Sequence, residues 1–270
     1  MWHLTKVVDL SQGVRRASPY TPGMTSARPA ADLTEPLEPG ADLPNIPLLD
    51  DALAHPEAEK KPTWRGWIHA GTAPLAVAAG IVLIVLAEGG PAKAASAIFM
   101  ASSILLFGIS AVYHRFNWRP TVKAVFRRLD HSNIFLLIAG TYTPLAVSAL
   151  PFDKGIVLLC AVWGVALLGI VFRIFWLGAP RWLYLALYVG LGWAAVFYTV
   201  DLVAFNAVAM LLVLIGGLAY TAGAVFYGLK RPNPWPGRFG FHELFHTCTV
   251  IAFMCHWTAI LLIVRAPLGW

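Results

Sequence analysis

The stretch "HELFHTCTVIAFMCHWTAILLIV", residues 242–264, decides the fold. It holds one acidic residue, Glu243, and no Lys or Arg. A helix needs about 20 mostly apolar residues to cross hydrocarbon about 30 Å thick, and this run is long enough. Working outward, similar runs recur at 67–87 ("WIHAGTAPLAVAAGIVLIVLA"), 93–114, 130–150, 155–176, 182–200 and 202–228. Within lipid, every backbone N–H and C=O must be satisfied by the segment itself, so each run is read as a helix. Connectors such as "EGGPA", "PFDK", "LGAPR" and "RPNPWPG" carry the Pro and Gly that punctuate them. The sequence therefore predicts an all-α membrane protein, a bundle of seven transmembrane helices.

Composition agrees. The chain is 58% hydrophobic and 13% charged, against about 25% charged residues in a soluble domain. The net charge of +6 does not call for nucleic acid, because basic residues in membrane proteins mark cytoplasmic loops. The expected partner is the lipid bilayer. Cys160, Cys248 and Cys255 all lie in apolar runs and form no C-x-x-C pair, so no disulfide framework is expected. Residues 1–64 differ in kind. They hold nine of the nineteen prolines and show little helical periodicity, as expected of a disordered cytoplasmic tail ahead of a transmembrane domain at 65–270. No basic segment leads directly into an apolar one near the start, so no secretory signal is expected.

Charge also sets an orientation. Arg115, Arg119, Lys123, Arg127, Arg128, Arg173, Arg181, Lys230, Arg231 and Arg238 fall on one set of alternating ends, and only Lys93, Lys154 and Arg265 on the other. Basic residues stay inside, which predicts a cytoplasmic N-terminus and an external C-terminus.

Ionisable residues inside a membrane are costly and mark function. His114 closes the second run, Asp130 and His131 open the third, and His242 and His246 open the seventh. All belong to the same predicted membrane level. A single interfacial histidine can snorkel into headgroups, but several delivered to one depth by separate segments point to a site. His242 and His246 are one turn apart, as are Ser110 and His114. Three imidazoles with a free fourth position form the usual catalytic zinc shell. Asp130 is then placed to accept a proton from a bound water, and Ser110 to donate to that water or to a substrate carbonyl. His131 turns about 100° from Asp130 and belongs to a supporting layer or the interface. His69, at the start of the first run, either lines the cavity or packs in the core. His256 lies ten residues beyond His246, about 15 Å along a helix, too far for the same metal and better read as a core histidine.

Three stretches carry a family resemblance: "SAVYHRF", "RRLDHSNIFLLIAGTYTP" and "RPNPWPGRFGFHELFHTCTVIAFMCHW". They resemble the signature regions of the hemolysin III family, the bacterial branch of the progestin and adipoQ receptor family, related to alkaline ceramidases. The resemblance covers about residues 65–265 and leaves 1–64 outside. It implies zinc held near the cytoplasmic face by His114, His242 and His246, with Asp130 and Ser110 as its catalytic companions, and a site like that of lipid amidases. The bacterial name implies a cytolytic phenotype.

The string His242-Glu243-x-x-His246 also reads literally as a metalloprotease motif. The extended form of that motif would place a histidine at position 252, which is Ala252. The Leu-Asp-Gly context of intramembrane metalloproteases is missing as well. Glu243 stays open between spectator and base. Two functions follow as expectations: a zinc-dependent hydrolase of a lipid amide, or a non-enzymatic lytic, channel-like or sensory protein with structural zinc.

Overall fold

The computed structural model describes residues 62–267. Most of the expected 1–64 tail, and the last three residues of the chain, lie outside that range. Seven α-helices follow in order: α1 Trp67–Leu86, α2 Gly90–Arg115, α3 Pro120–Ala149, α4 Phe152–Phe175, α5 Arg181–Gly192, α6 Thr199–Leu229 and α7 Phe241–Val264, with a short 3-10 helix, Ala194–Tyr198, between α5 and α6. Among the described residues the only strand-like pairing is an isolated bridge between Trp235 and Phe239. Among the described residues, six stretches are long and apolar enough to cross a membrane, one of them the run Arg181–Leu229 that joins α5, the 3-10 helix and α6. The protein is a multi-pass helical membrane protein.

Most helix limits fall within a few residues of the expected runs. The third does not. Asp130 was expected to open it, yet α3 begins at Pro120, ten residues earlier. Proline suits the first helical position because its missing N–H would have no partner there. The apolar run records only the lipid-embedded part of a helix that continues into its own basic extension. Arg128 secures that extension, donating through Nε to the Ile174 carbonyl at the end of α4 (2.9 Å). Asp130 therefore sits inside a continuous helix.

The run expected at 182–200 is also broken. α5 ends at Gly192 and yields to the 3-10 turn. Tyr142 of α3 holds this break, its hydroxyl donating to the Gly192 carbonyl (2.7 Å) and accepting from the Ala195 N–H (2.8 Å). In α6, Asn206 leaves helical geometry (φ −157°, ψ 102°). Its Oδ1 accepts from the Ala209 N–H at 2.9 Å, which is how an N-cap restarts a helix.

α3 is the most enclosed helix, and α1, α4 and α6 turn apolar faces outward. Residues such as Leu75, Ile81, Leu168, Phe175 and Leu211 are exposed there, as a lipid-facing surface requires. Small residues set the close crossings. A Cβ on Gly140 would fall 2.1 Å from Ser102 Oγ of α2, and one on Gly216 2.5 Å from the His256 ring.

Contacts between helix ends sort them into two levels. At one, Arg181 at the start of α5 donates to the Tyr227 carbonyl near the end of α6 (3.0 Å), and Thr63 and Trp64 donate to the Gly237 and Arg238 carbonyls (3.2 Å each). At the other, Lys154 of α4 pairs with Asp201 of α6 (2.7 Å) and the Glu88 N–H meets the Val264 carbonyl (2.8 Å). The histidine cluster belongs to the first level.

Candidate metal centre

α2 and α7 supply the imidazoles. His114 lies in the last turn of α2, and His242 and His246 occupy successive turns at the start of α7. The four-residue spacing stacks the latter two on one face, with ring centroids 4.6 Å apart. One ring nitrogen from each of the three histidines lies within 4.8 Å of the others. His114 Nε2 and His242 Nε2 are 3.3 Å apart. Two nitrogens bound tetrahedrally to one ion at about 2.0–2.1 Å lie about 3.4 Å apart, so this separation fits a shared metal ion. His114 and His246 are buried and His242 nearly so. The residues fit a metal ion with a preference for imidazole, and the donor set alone does not choose among such metals.

The other expected site residues come to the same place. Asp130 Oδ2 lies 3.8 Å from His114 Nε2, beyond a hydrogen bond and close enough to face the same bound group. The Ser110 side chain, buried one turn below His114, faces the Asp130 carboxylate.

His69 lines the same cavity. It is buried and lies flat on His246, with ring centroids 3.9 Å apart and planes 10° apart. An imidazole binds metal in its own plane. Two parallel rings at that spacing cannot both aim a lone pair at one ion, so His69 is not a fourth ligand. His256 is hydrogen-bonded to the Val213 carbonyl through Nε2 (3.1 Å), as its position along the helix implies.

The supporting contacts were mostly invisible in the sequence. Arg173, wholly buried, donates through Nη2 to His131 Nδ1 and lies over the Tyr184 ring (4.5 Å). Because a guanidinium only donates, the neutral His131 ring carries its proton on Nε2. Glu243 is 1% exposed and committed at both oxygens: Oε1 accepts from Arg65 Nε, and Oε2 from the Gly240 N–H at 2.9 Å. The second bond is half of a capping box at the start of α7. The signal for it was present, since Glu243 is three residues after Gly240, but the metalloprotease reading of the same string obscured it.

From the centre a cavity of about 220 Å³ runs into the bundle. Asp130, His242 and His246 line one end, and Ile138, Leu145 and Met210 line the part beyond. Asp130 and Leu145 are both on α3, about 22 Å apart at ~1.5 Å per residue.

The fold and site define a multi-pass helical membrane protein with a buried three-histidine centre at one end of its bundle. A family model described as "Haemolysin-III related" matches residues 58–257, most of the chain. The chain belongs to that family. It is similar to "Hemolysin-3 homolog" of Bacillus subtilis (strain 168), 36% identical over 135 residues, covering 50% of this chain and 63% of that protein. It is similar to "Hemolysin-3" of Bacillus cereus, 35% identical over 163 residues, covering 59% of this chain and 74% of that one. "Progestin and adipoQ receptor-like protein 1" of Caenorhabditis elegans is 27% identical over 186 residues, covering 62% of this chain and 43% of that protein.

Proposed function

We propose that this chain is a zinc-dependent hydrolase of a membrane lipid amide, resembling ceramidases in its site. It crosses the inner membrane seven times, with its N-terminus in the cytoplasm and its C-terminus outside. The observation that carries the reading is the union of a polar, metal-binding head with a long apolar bore in one cavity. A lipid amide has that shape, a polar linkage on an acyl chain.

Seven crossings are supported by the Arg181–Tyr227 contact, which brings the start of α5 next to the end of α6 as two antiparallel spans would. Orientation rests on the basic residues gathered at the level of the histidines. Reporter fusions test both: the N-terminus should read cytoplasmic and the C-terminus external. Both ends on one side would overturn the count.

His114, His242 and His246 would hold the zinc. When bound, zinc supplies Lewis-acid polarisation of a carbonyl and makes water acidic enough to attack near neutral pH. The chain's own residues do the rest. Asp130 takes the proton of the attacking water on its carboxylate and returns it to the departing amine nitrogen, so that water adds across the amide to give acid and amine. Ser110, facing Asp130, keeps that carboxylate turned toward the site. Glu243 has no free oxygen for the task. The apolar bore takes the acyl chain and excludes bulk water from the reacting end.

A channel would need a continuous polar path through the whole bundle, and the deeper cavity is lined mainly by apolar side chains, with Thr141, Thr199, Thr221 and His256 interspersed among them. Lipid profiles of membranes containing the wild-type protein or His242→Ala test the activity. A free fatty acid and its amine should rise only with the wild type. Identical profiles, with zinc bound, would remove the hydrolase reading.

A further inference from the structure

The helices that carry the three histidines share little surface, while α1 packs against both. Something else must fix His114 relative to His242 and His246. The short segment Pro62–Trp67, leading into α1, touches both ligand-bearing ends. On the α7 side, Thr63 and Trp64 bond through their N–H groups to the backbone of Gly237 and Arg238. Arg65 then donates to Glu243 in the first turn of α7, between the two histidine positions. On the α2 side, Gly66 adopts φ +81°, and a Cβ there would lie 2.8 Å from the His114 Cβ. The Arg115 guanidinium closes over the Trp67 ring at 4.1 Å.

The two contacts have different physics. Gly66 is required twice, by a left-handed backbone and by a space with no room for a methyl group. Arg65–Glu243 is a half-buried pair in which the buried Glu243 carboxylate would otherwise lie uncompensated. Glu243 is also tied to Gly240, so Arg65 holds the end of α7 as well as one side chain.

We propose that Pro62–Trp67 is a clamp that sets the separation of the two ligand helices, with Arg65 and Gly66 as positioning residues for the metal centre. The inference rests on the metal centre of the preceding reading, and makes no use of the hydrolase activity. Groups that orient metal ligands without touching the ion change affinity about 10–100-fold when removed.

The test uses the full chain in detergent, with zinc affinity measured by competition against a chromophoric chelator and the ligand field read from the cobalt(II)-substituted protein. Arg65→Ala combined with Glu243→Gln avoids stranding a buried charge. It should weaken zinc about 10–100-fold and shift the cobalt spectrum. Gly66→Ala approaches from the α2 side without altering charge and should do the same. Arg65→Lys should recover part of the affinity, which a mere loss of packing does not predict. Wild-type zinc affinity and cobalt spectrum in both the paired variant and Gly66→Ala would overturn the clamp. A wild-type protein that takes up neither zinc nor cobalt would instead overturn the metal centre itself, and the clamp with it.

Discussion

The two ends of the bundle are built on opposite plans. At the histidine end, charged and polar side chains are buried: Glu243 is 1% exposed, His246 3% and Arg173 0%. Each is held by a partner far away in sequence or in another helix. At the other end the helices are joined by short turns and an outward-facing ion pair, Lys154–Asp201, whose side chains are 46% and 26% exposed. Burying polar groups costs several kcal/mol each when their partners are imperfect, on the order of 1–3 for an unmet hydrogen bond. Among the described residues the other end buries only small hydroxyls such as Ser96 and Ser148, and a bundle needing only to span the membrane has no reason to bury full charges at one level alone. The asymmetry supports the proposal that the histidine end is the working end.

The largest effect that could break this comparison is loss of the metal. His242→Ala or His246→Ala should leave the protein with essentially no zinc, measured by elemental analysis of purified protein. His256→Ala, deeper on the same helix, should keep a full complement. Full zinc in His246→Ala would mean that the working end is not a metal centre.

Next comes the carboxylate. Asp130→Asn should retain zinc and lose about 10²–10⁴-fold in lipid-amide turnover, the usual loss for a general base. Ser110→Ala, which acts through Asp130, should lose less. Activity in Asp130→Asn close to that of the wild type would move the base elsewhere.

Much of this end was legible in the sequence, for a physical reason. Run length and four-residue spacing are local properties, so the apolar segments and the faces shared by His242 with His246 and by Ser110 with His114 could be read directly. The shared level followed from counting along each run. What escaped depends on packing. Arg65 and Glu243 are 178 residues apart, and no periodicity connects them. The early start of α3 was missed because hydropathy registers lipid and not helix: Pro120 and the basic turns after it are helical but not apolar. The break after Gly192 was missed for the converse reason. The run stays apolar while Tyr142, from another helix, satisfies the backbone groups the break releases.

A smaller effect separates general packing from the working end. Gly140→Ala places a methyl against Ser102 where α2 and α3 cross. Overpacking of this kind costs about 1–3 kcal/mol. It should appear as a lower melting temperature of the detergent-solubilised protein, with zinc content unchanged. A large loss of zinc would show that the crossing sets the position of His114 as strongly as the local contacts around it.

The smallest effect lies at the opposite end. Lys154 Nζ reaches both oxygens of Asp201, at 2.7 and 2.9 Å, and the geometry alone suggests a strong tie between α4 and α6. Exposure says otherwise. Water and salt screen such a pair, and ordering a lysine side chain costs conformational entropy, so exposed pairs are worth about 0–1 kcal/mol. Lys154→Ala should therefore shift stability by no more than that, and the shift should shrink as salt rises. Zinc content and turnover should not change, because no described contact connects this pair to the histidines. The paired measurement is a thermal melt at low and high salt together with zinc content. If Lys154→Ala cost several kcal/mol or released the metal, the two ends would be mechanically coupled, and the division into a working end and a plain supporting end would fail.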